Sequence, residues 1–140
     1  MNQLFVDTNI VIDLLSRRKP FYEVAAILFS LADKKEIELA VSSLTIANTS
    51  YSLLRQMTPI KAKSVLRKLR LIIKIFPLDD RIIDLALNDE TFADFEDALQ
   101  YFTAIEHSQD LIITRNLKDF IKSQIPVITA KQFIETFNVK

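Results

Sequence analysis

Short apolar runs alternate along the chain with segments whose apolar residues recur at helical spacing. Val24, Ile27, Leu28 and Leu31 illustrate that spacing, which is typical of an amphipathic helix. The apolar runs predict five buried strands, at residues 3–6, 37–41, 72–76, 111–113 and 126–128. Because strands alternate with helices, we expect an α/β fold of three layers, α/β/α, in which helices flank a mostly parallel five-stranded sheet.

Capping residues indicate where the helices begin. Thr58-Pro59 is one such start, because Thr caps a helix and Pro fits its first turn. Helices are expected at residues 10–15, from Pro20 onward, at 43–56, from Pro59, at 79–87, at 94–105 and after residue 128. With 140 residues and no repeat, linker or low-complexity segment, residues 1–140 are expected to form a single domain.

Composition excludes several kinds of site. The chain has no Cys, one His and no Gly, which excludes thiolate and multi-histidine metal sites and Gly-rich phosphate loops. No basic start of a signal peptide and no apolar run of membrane-spanning length is found, so we expect a cytoplasmic protein that makes no membrane contact.

Charge is unevenly distributed although its formal sum is zero. Residues 55–78 hold seven basic residues and no acid, whereas residues 79–110 hold ten acids and one base, Arg81. A basic segment beside an acidic one suits a nuclease, which must hold phosphates and bind a cation, although two differently charged solvated helix faces would look the same.

Three polar segments are expected at one edge of the sheet. Asp7 follows the first strand, Asp94 and Asp97 share a face at the start of a helix, and Asn116 and Asp119 follow the fourth strand. Each alone could be a helix cap or a polar loop. Together they lie where open parallel sheets bind ligands, and carboxylates are the ligands that Mg²⁺ and Mn²⁺ prefer.

These segments resemble, in order, the motifs of the PIN-domain family and most closely those of VapC-type toxins of toxin–antitoxin pairs. The segments are Phe5-Val6-Asp7-Thr8-Asn9, Ser42-Ser43-Leu44-Thr45, Asp97-Ala98 and Ile113-Thr114-Arg115-Asn116-Leu117-Lys118-Asp119-Phe120. The resemblance implies a Mg²⁺- or Mn²⁺-dependent endoribonuclease, an antitoxin partner and a homodimer. It also implies that Asp7 and Asp97 bind the metal, and that Asn116 and Asp119 are the polar and acidic positions of the last motif.

One position departs from the family pattern. The helix after Ser42-Ser43 usually carries Glu where this chain has Asn48, so the site has one negative charge fewer. Asp94 is the expected replacement, and Glu96 is expected to face away, because neighbouring helix residues are about 100° apart. A catalytically silent PIN scaffold that binds RNA or a protein is therefore an alternative to the nuclease.

Two further hypotheses concern the residue after the third strand and the helices of residues 43–71. A phosphoacceptor receiver domain would use Asp79, which follows the third strand, but only Asp7 follows the first strand, where a receiver needs paired acids. The resemblance to the toxins also implies that the helices of residues 43–71 form the surface for the antitoxin or the dimer mate, and Leu66 is one of the apolar residues of these helices.

Overall fold

A computed structural model describes residues 2–138 of the chain, and the predicted strands and helices are all present in it. The order of elements is β1 Gln3–Val6, α1 Thr8–Leu15, α2 Tyr22–Asp33, β2 Glu38–Ser42, α3 Ser43–Leu53, α4 Pro59–Arg70, β3 Ile73–Phe76, α5 Asp80–Asn88, α6 Phe95–Glu106, β4 Leu111–Ile113, a 3₁₀ helix Leu117–Phe120, β5 Val127–Ile128 and α7 Ala130–Asn138. The predicted three-layer α/β/α class is confirmed. The second helix begins two residues after Pro20, at Tyr22.

The five strands form one sheet in the order β3-β2-β1-β4-β5, and every neighbouring pair is parallel. The chain moves outward from β1 through β2 to β3 and then returns to the other side of β1 as β4. The topological switch point therefore lies between β1 and β4, where ligands of open α/β sheets bind. This order contradicts the receiver hypothesis, since β3 and the following Asp79 lie at the sheet edge rather than at its centre.

Successive side chains of the central strand, β1, point to opposite faces of the sheet. Leu4 and Val6 join the larger core with residues of α1, α2 and α7, and both are fully buried. Phe5 points to the other face, where it packs with Tyr101 of α6 and Phe120 of the 3₁₀ helix. Because both faces are covered, the strand ends are the places where β1 and β4 can present polar side chains.

Side-chain caps fix the helices that follow the strands. Asp7, Ser42 and Asp79 each accept a hydrogen bond from a backbone N–H in the first turn of α1, α3 and α5, and Thr58 does the same for α4. Within residues 2–138, none of the helices is long and apolar enough to cross a membrane.

Candidate active site

A polar cleft of about 370 Å³ opens at the carboxyl ends of β1 and β4. All five residues that the sequence analysis selected border it: Asp7, Asp94, Asp97, Asn116 and Asp119. They come from three separate segments, which the parallel pairing of β1 with β4 and the start of α6 bring together. The expected convergence of these segments on one cleft is therefore what the structure shows.

Asp7 lies at the floor of the cleft and is 8% exposed. One carboxylate oxygen accepts a hydrogen bond of 2.8 Å from the Thr8 backbone N–H, and the other accepts one of 2.8 Å from the Thr114 hydroxyl. Burial raises the pKa of Asp7, the hydrogen bonds from Thr114, Thr8 and Gln100 lower it, and the charge of Asp119 raises it. Asp7 is thus both the cap of α1 and a member of the cleft, so its two sequence interpretations are compatible.

Asp97 lies in the first turn of α6, beside several other carboxylates. Burial and the nearby charge of Asp94 are the two largest causes that raise its pKa to about 7, with smaller contributions from Asp119, Asp7 and Glu96. Asp94 itself caps α6 by accepting a hydrogen bond of 3.1 Å from the Asp97 backbone N–H. The carboxylates that surround Asp97 in the first turn of α6 therefore disfavour the ionisation of Asp97.

The segment after β4 contributes Asn116 and Asp119, whose side chains are exposed. Thr114 connects this segment to the floor of the cleft, because its hydroxyl donates to Asp7 and accepts a hydrogen bond of 3.1 Å from the Asn116 backbone N–H. The Asp119 backbone N–H donates a hydrogen bond of 3.0 Å to the Asn116 carbonyl, in the first turn of the 3₁₀ helix. A buried hydroxyl thereby holds the last motif against the first.

A buried amide that the sequence analysis did not select organises the floor of the cleft. Gln100 is 3% exposed, accepts a 2.6 Å hydrogen bond from the Ser42 hydroxyl, and donates to Thr45 at 2.8 Å and Thr8 at 3.2 Å. It also lies 3.4 Å from an Asp7 oxygen. The sequence signal was its spacing of three residues from Asp97, which places both on one face of α6.

Asn48 and Glu96 form a contact across the cleft, between α3 and α6. The Asn48 side-chain amide donates a hydrogen bond of 2.9 Å to one Glu96 carboxylate oxygen, and both residues border the cleft. The expectation that Glu96 faces away was wrong, because its long side chain reaches across to α3. Glu96, rather than Asp94, is the carboxylate that contacts Asn48.

Arg115 lies outside the cleft although it belongs to the last motif. Its guanidinium donates to both oxygens of Asp13, at 2.7 and 3.2 Å, and lies over the Phe21 ring at 4.0 Å. The cation that does border the cleft is Arg18, from the loop between α1 and α2. None of the seven basic residues in 55–78 lines it, so the basic segment is not a wall of this cleft.

The donors around the cleft fit a hard divalent cation. Five carboxylates border it, and among residues 2–138 none of them forms an ion pair with Lys or Arg, since the ion pairs there join Arg81 to Glu106 and Arg115 to Asp13. No three of the described His, Asp or Glu side chains already enclose a point where a metal could sit. Mg²⁺ needs no such cage, because it keeps several waters and commonly takes one or two carboxylates.

Sequence and structure comparisons agree on the relatives of this chain. A model of the PIN domain family matches residues 3–118, whereas no curated protein matches the sequence. A toxin–antitoxin complex from Klebsiella pneumoniae contains a similar structure, with 26% sequence identity, a TM-score of 0.67, and coverage of 91% of this chain and 97% of that one.

Two further solved structures share the fold. VapBC2 from Rickettsia felis, bound to a DNA fragment from its promoter, is 19% identical with a TM-score of 0.67 and coverage of 90% of this chain and 96% of that one. VapC20 from Mycobacterium tuberculosis, a toxin that cleaves the sarcin–ricin loop, is 17% identical with a TM-score of 0.60 and coverage of 78% and 86%.

Proposed function

The chain belongs to the PIN domain family, and we propose that it is a divalent-metal-dependent endoribonuclease, the toxin of a toxin–antitoxin pair. The observation that carries the proposal is the cleft of five carboxylates at the switch point of the sheet, none of which has an ion-pair partner in the part of the chain that the structure describes. The similar structures support the toxin part, since they include toxin–antitoxin complexes and a toxin that cleaves RNA.

Asp7 and Asp97 would hold the metal, Mg²⁺ or Mn²⁺. Asp7 is held in place by Thr114 and Thr8, and Asp97 is beside it on the first turn of α6. A bound divalent ion lowers the pKa of a coordinated water and neutralises charge that develops on a phosphate. The carboxylate charges that repel one another in the metal-free cleft are the feature that favours binding a dication.

The residues around Asp7 and Asp97 would position the RNA. Asn116 has an exposed side-chain amide that can donate to a phosphate oxygen, and the guanidinium of Arg18, which also borders the cleft, can bind a phosphate. Hydrolysis requires a group that accepts the proton of the attacking water, and Asp94 and Asp119, which are exposed carboxylates of the same cleft, would serve as that group.

The direct test is cleavage of an RNA mixture by the purified chain in a titration of Mg²⁺ and Mn²⁺, with EDTA as the reference. We expect fragments that appear with metal and disappear with EDTA. Calorimetry on the same preparation measures metal binding. The alternative is the catalytically silent scaffold that binds RNA or a partner protein, which the neutral side chain of Asn48 favours. That scaffold would leave the RNA intact at every metal concentration.

The antitoxin and the dimer mate would bind the α3–α4 surface, which we define by its exposed apolar residues Tyr51, Leu54 and Ile60. Their exposed fractions are 69%, 46% and 82%. Leu66, expected in this surface, is instead partly buried against the main core, so its substitution would test folding rather than binding.

Ile60→Glu tests the α3–α4 surface, with Leu87→Glu on α5 as the matched control, since Leu87 is 65% exposed. Size-exclusion chromatography with light scattering gives the oligomeric state. Co-purification with the product of a neighbouring small open reading frame gives antitoxin binding. We expect Ile60→Glu to weaken one or both and Leu87→Glu to weaken neither; equal behaviour of the two variants would contradict the assignment.

A further inference from the structure

A second cleft of about 300 Å³ adjoins the carboxylate cleft. Asp94, Asp97 and Asp119 border both clefts, so the two share a wall. The second cleft is chemically different on its other side, where the segment after β4 contributes Lys118, Lys122 and Ile121. A chain of alternating charged and apolar groups that enters the first cleft can therefore continue into the second.

Phe120, midway between the two lysines in the sequence, anchors the segment that carries them. Phe120 is 2% exposed and packs with Tyr101 and Phe92, which anchors the 3₁₀ helix to the body of the domain. Lys118 and Lys122 lie on either side of that anchor and are exposed. Neither forms an ion pair among residues 2–138, although three carboxylates line the same cleft. Both ammonium groups are thus available to an anion.

An exposed apolar side chain borders the same cleft as these two lysines. Ile121 is 74% exposed, and Phe92 forms a partly buried part of the same wall. A large apolar side chain exposed next to unpaired lysines matches a nucleotide, which presents a phosphate and an apolar base face together. Free phosphate would use the lysines alone, so Ile121 favours a nucleic acid.

Cations border both clefts beside the carboxylates. Arg18 borders the first cleft, and Lys118 and Lys122 border the second. A strand that runs through both clefts, with its scissile phosphate at Asp7 and Asp97, would meet Arg18 in the first cleft and the two lysines in the second. This arrangement reduces the repulsion that an acidic cleft exerts on a polyanion.

We propose that the second cleft is a binding subsite for the nucleotide next to the scissile phosphate. This inference rests on the proposed function. Lys118 and Lys122 bind the neighbouring phosphate, and Ile121 contacts the face of its base. A paired base inside a helix is stacked on its neighbours and cannot present that face, whereas an unpaired base can.

The test measures binding of fluorescent RNA by anisotropy in the cleavage-deficient Asp97→Asn background, for a single strand and for a duplex of the same sequence. Adding Lys118→Gln and Lys122→Gln should weaken single-strand binding about 10-fold and reduce the slope of log affinity against log salt by about 0.7, the value for one phosphate contact on a single strand. Adding Ile121→Ser instead should weaken single-strand binding and leave duplex binding and the salt slope unchanged.

The matched control is Lys61→Gln with Lys63→Gln, two exposed lysines of α4 that border neither cleft. In the otherwise unmodified protein, the Lys118 and Lys122 variant should raise KM and leave kcat nearly unchanged. Equal salt slopes for the two lysine pairs, or an Ile121→Ser effect of the same size on duplex RNA, would overturn the subsite. If the unmodified protein cleaves no RNA, the proposed function fails while the binding measurements still decide the subsite.

Discussion

Asp7 and Asp13 are two buried carboxylates six residues apart, one capping α1 and the other near the end of that helix. Asp13 is 1% exposed and accepts two hydrogen bonds from the Arg115 guanidinium. Asp7 is 8% exposed, and its partners are uncharged: the Thr114 hydroxyl, the Thr8 backbone N–H and the Gln100 amide.

The difference separates a structural carboxylate from one that is available to a ligand. Inside a protein, a charge without a counter-charge is costly, and Asp13 has its counter-charge within the fold. Asp7 has donors that orient it, but among residues 2–138 no cation forms an ion pair with it, and the same holds for Asp97 nearby. A dication in the cleft would supply the charge that Arg115 supplies to Asp13.

The largest expected effect is the loss of RNA cleavage in Asp7→Asn and Asp97→Asn. Each variant removes a charge that would hold the metal and leaves a side chain of the same size. We expect a loss of at least about 100-fold in the cleavage rate, since metal-ion catalysis contributes several kcal/mol. The measurement is single-turnover cleavage at saturating metal.

Asp13→Asn is the matched control for both, because it is the same chemical change at the carboxylate that already has a cation. We expect it to lower the free energy of unfolding and to leave the cleavage rate of the folded fraction close to the parent rate. Cleavage that survives in Asp7→Asn, or that is lost equally in Asp13→Asn, would contradict the division of roles.

The next effect is on stability, in Arg115→Ala. Removing the guanidinium leaves the Asp13 carboxylate buried without its counter-charge, and breaking a buried pair in this way costs about 3 kcal/mol. Urea unfolding measures it. Arg18→Ala is the control, because Arg18 is exposed and forms no ion pair among residues 2–138, so its loss should leave the unfolding midpoint unchanged. An Arg115→Ala midpoint equal to that of Arg18→Ala would show that Asp13 does not depend on the pair.

Part of this comparison could be predicted from the sequence. Asp7 and Asp97 were selected because a residue directly after a strand, or in the first turn of a helix at the sheet end, has its position set by the backbone alone. The α/β order followed from the same short-range patterns. The order of the strands in the sheet was not predicted, and it is this order that removes Asp79 from the centre of the sheet.

Contacts between distant long side chains could not be predicted in the same way. Arg115 pairs with a residue 102 positions away, and Asn48 with one 48 positions away. The direction in which such side chains extend depends on how neighbouring helices pack, which helical periodicity does not specify. For that reason Glu96 was assigned to the wrong side, and Gln100 was not assigned a role.

A smaller effect is expected at the Asn48–Glu96 contact. Asn48 holds one oxygen of Glu96 and leaves the other free for the cleft, so Asn48→Ala should weaken Mn²⁺ binding roughly 10-fold, as is usual when a group that orients a site is removed. Asn48→Glu, which would restore the usual family charge, should lose the hydrogen bond and place two carboxylates together. Calorimetry on both variants, with Glu96→Gln for comparison, provides the measurement. Tighter binding by Asn48→Glu than by the parent would show that total charge matters more than this contact.

The smallest effect is the dependence of metal-free stability on pH, which arises from Asp97. Burial and the neighbouring carboxylates raise its pKa in the folded protein to about 7, above the ordinary value of 3.8. Between these values the folded state binds a proton that the unfolded state has released, so the free energy of unfolding falls as pH rises from about 4 to about 7 and then levels off. Because Asp97 is only partly buried, solvent screening reduces the effect to about 1 kcal/mol.

In EDTA, Asp97→Asn should therefore be more stable than the parent by about that amount at pH 8 and equal to it near pH 4. Urea unfolding of both proteins across this range isolates Asp97 from the other titrating groups, and Mg²⁺ at pH 8 should raise the stability of the parent alone. Parallel pH profiles for the two proteins would mean that the carboxylates of the cleft do not oppose one another, and the contrast with the neutralised Asp13 would lose its electrostatic basis.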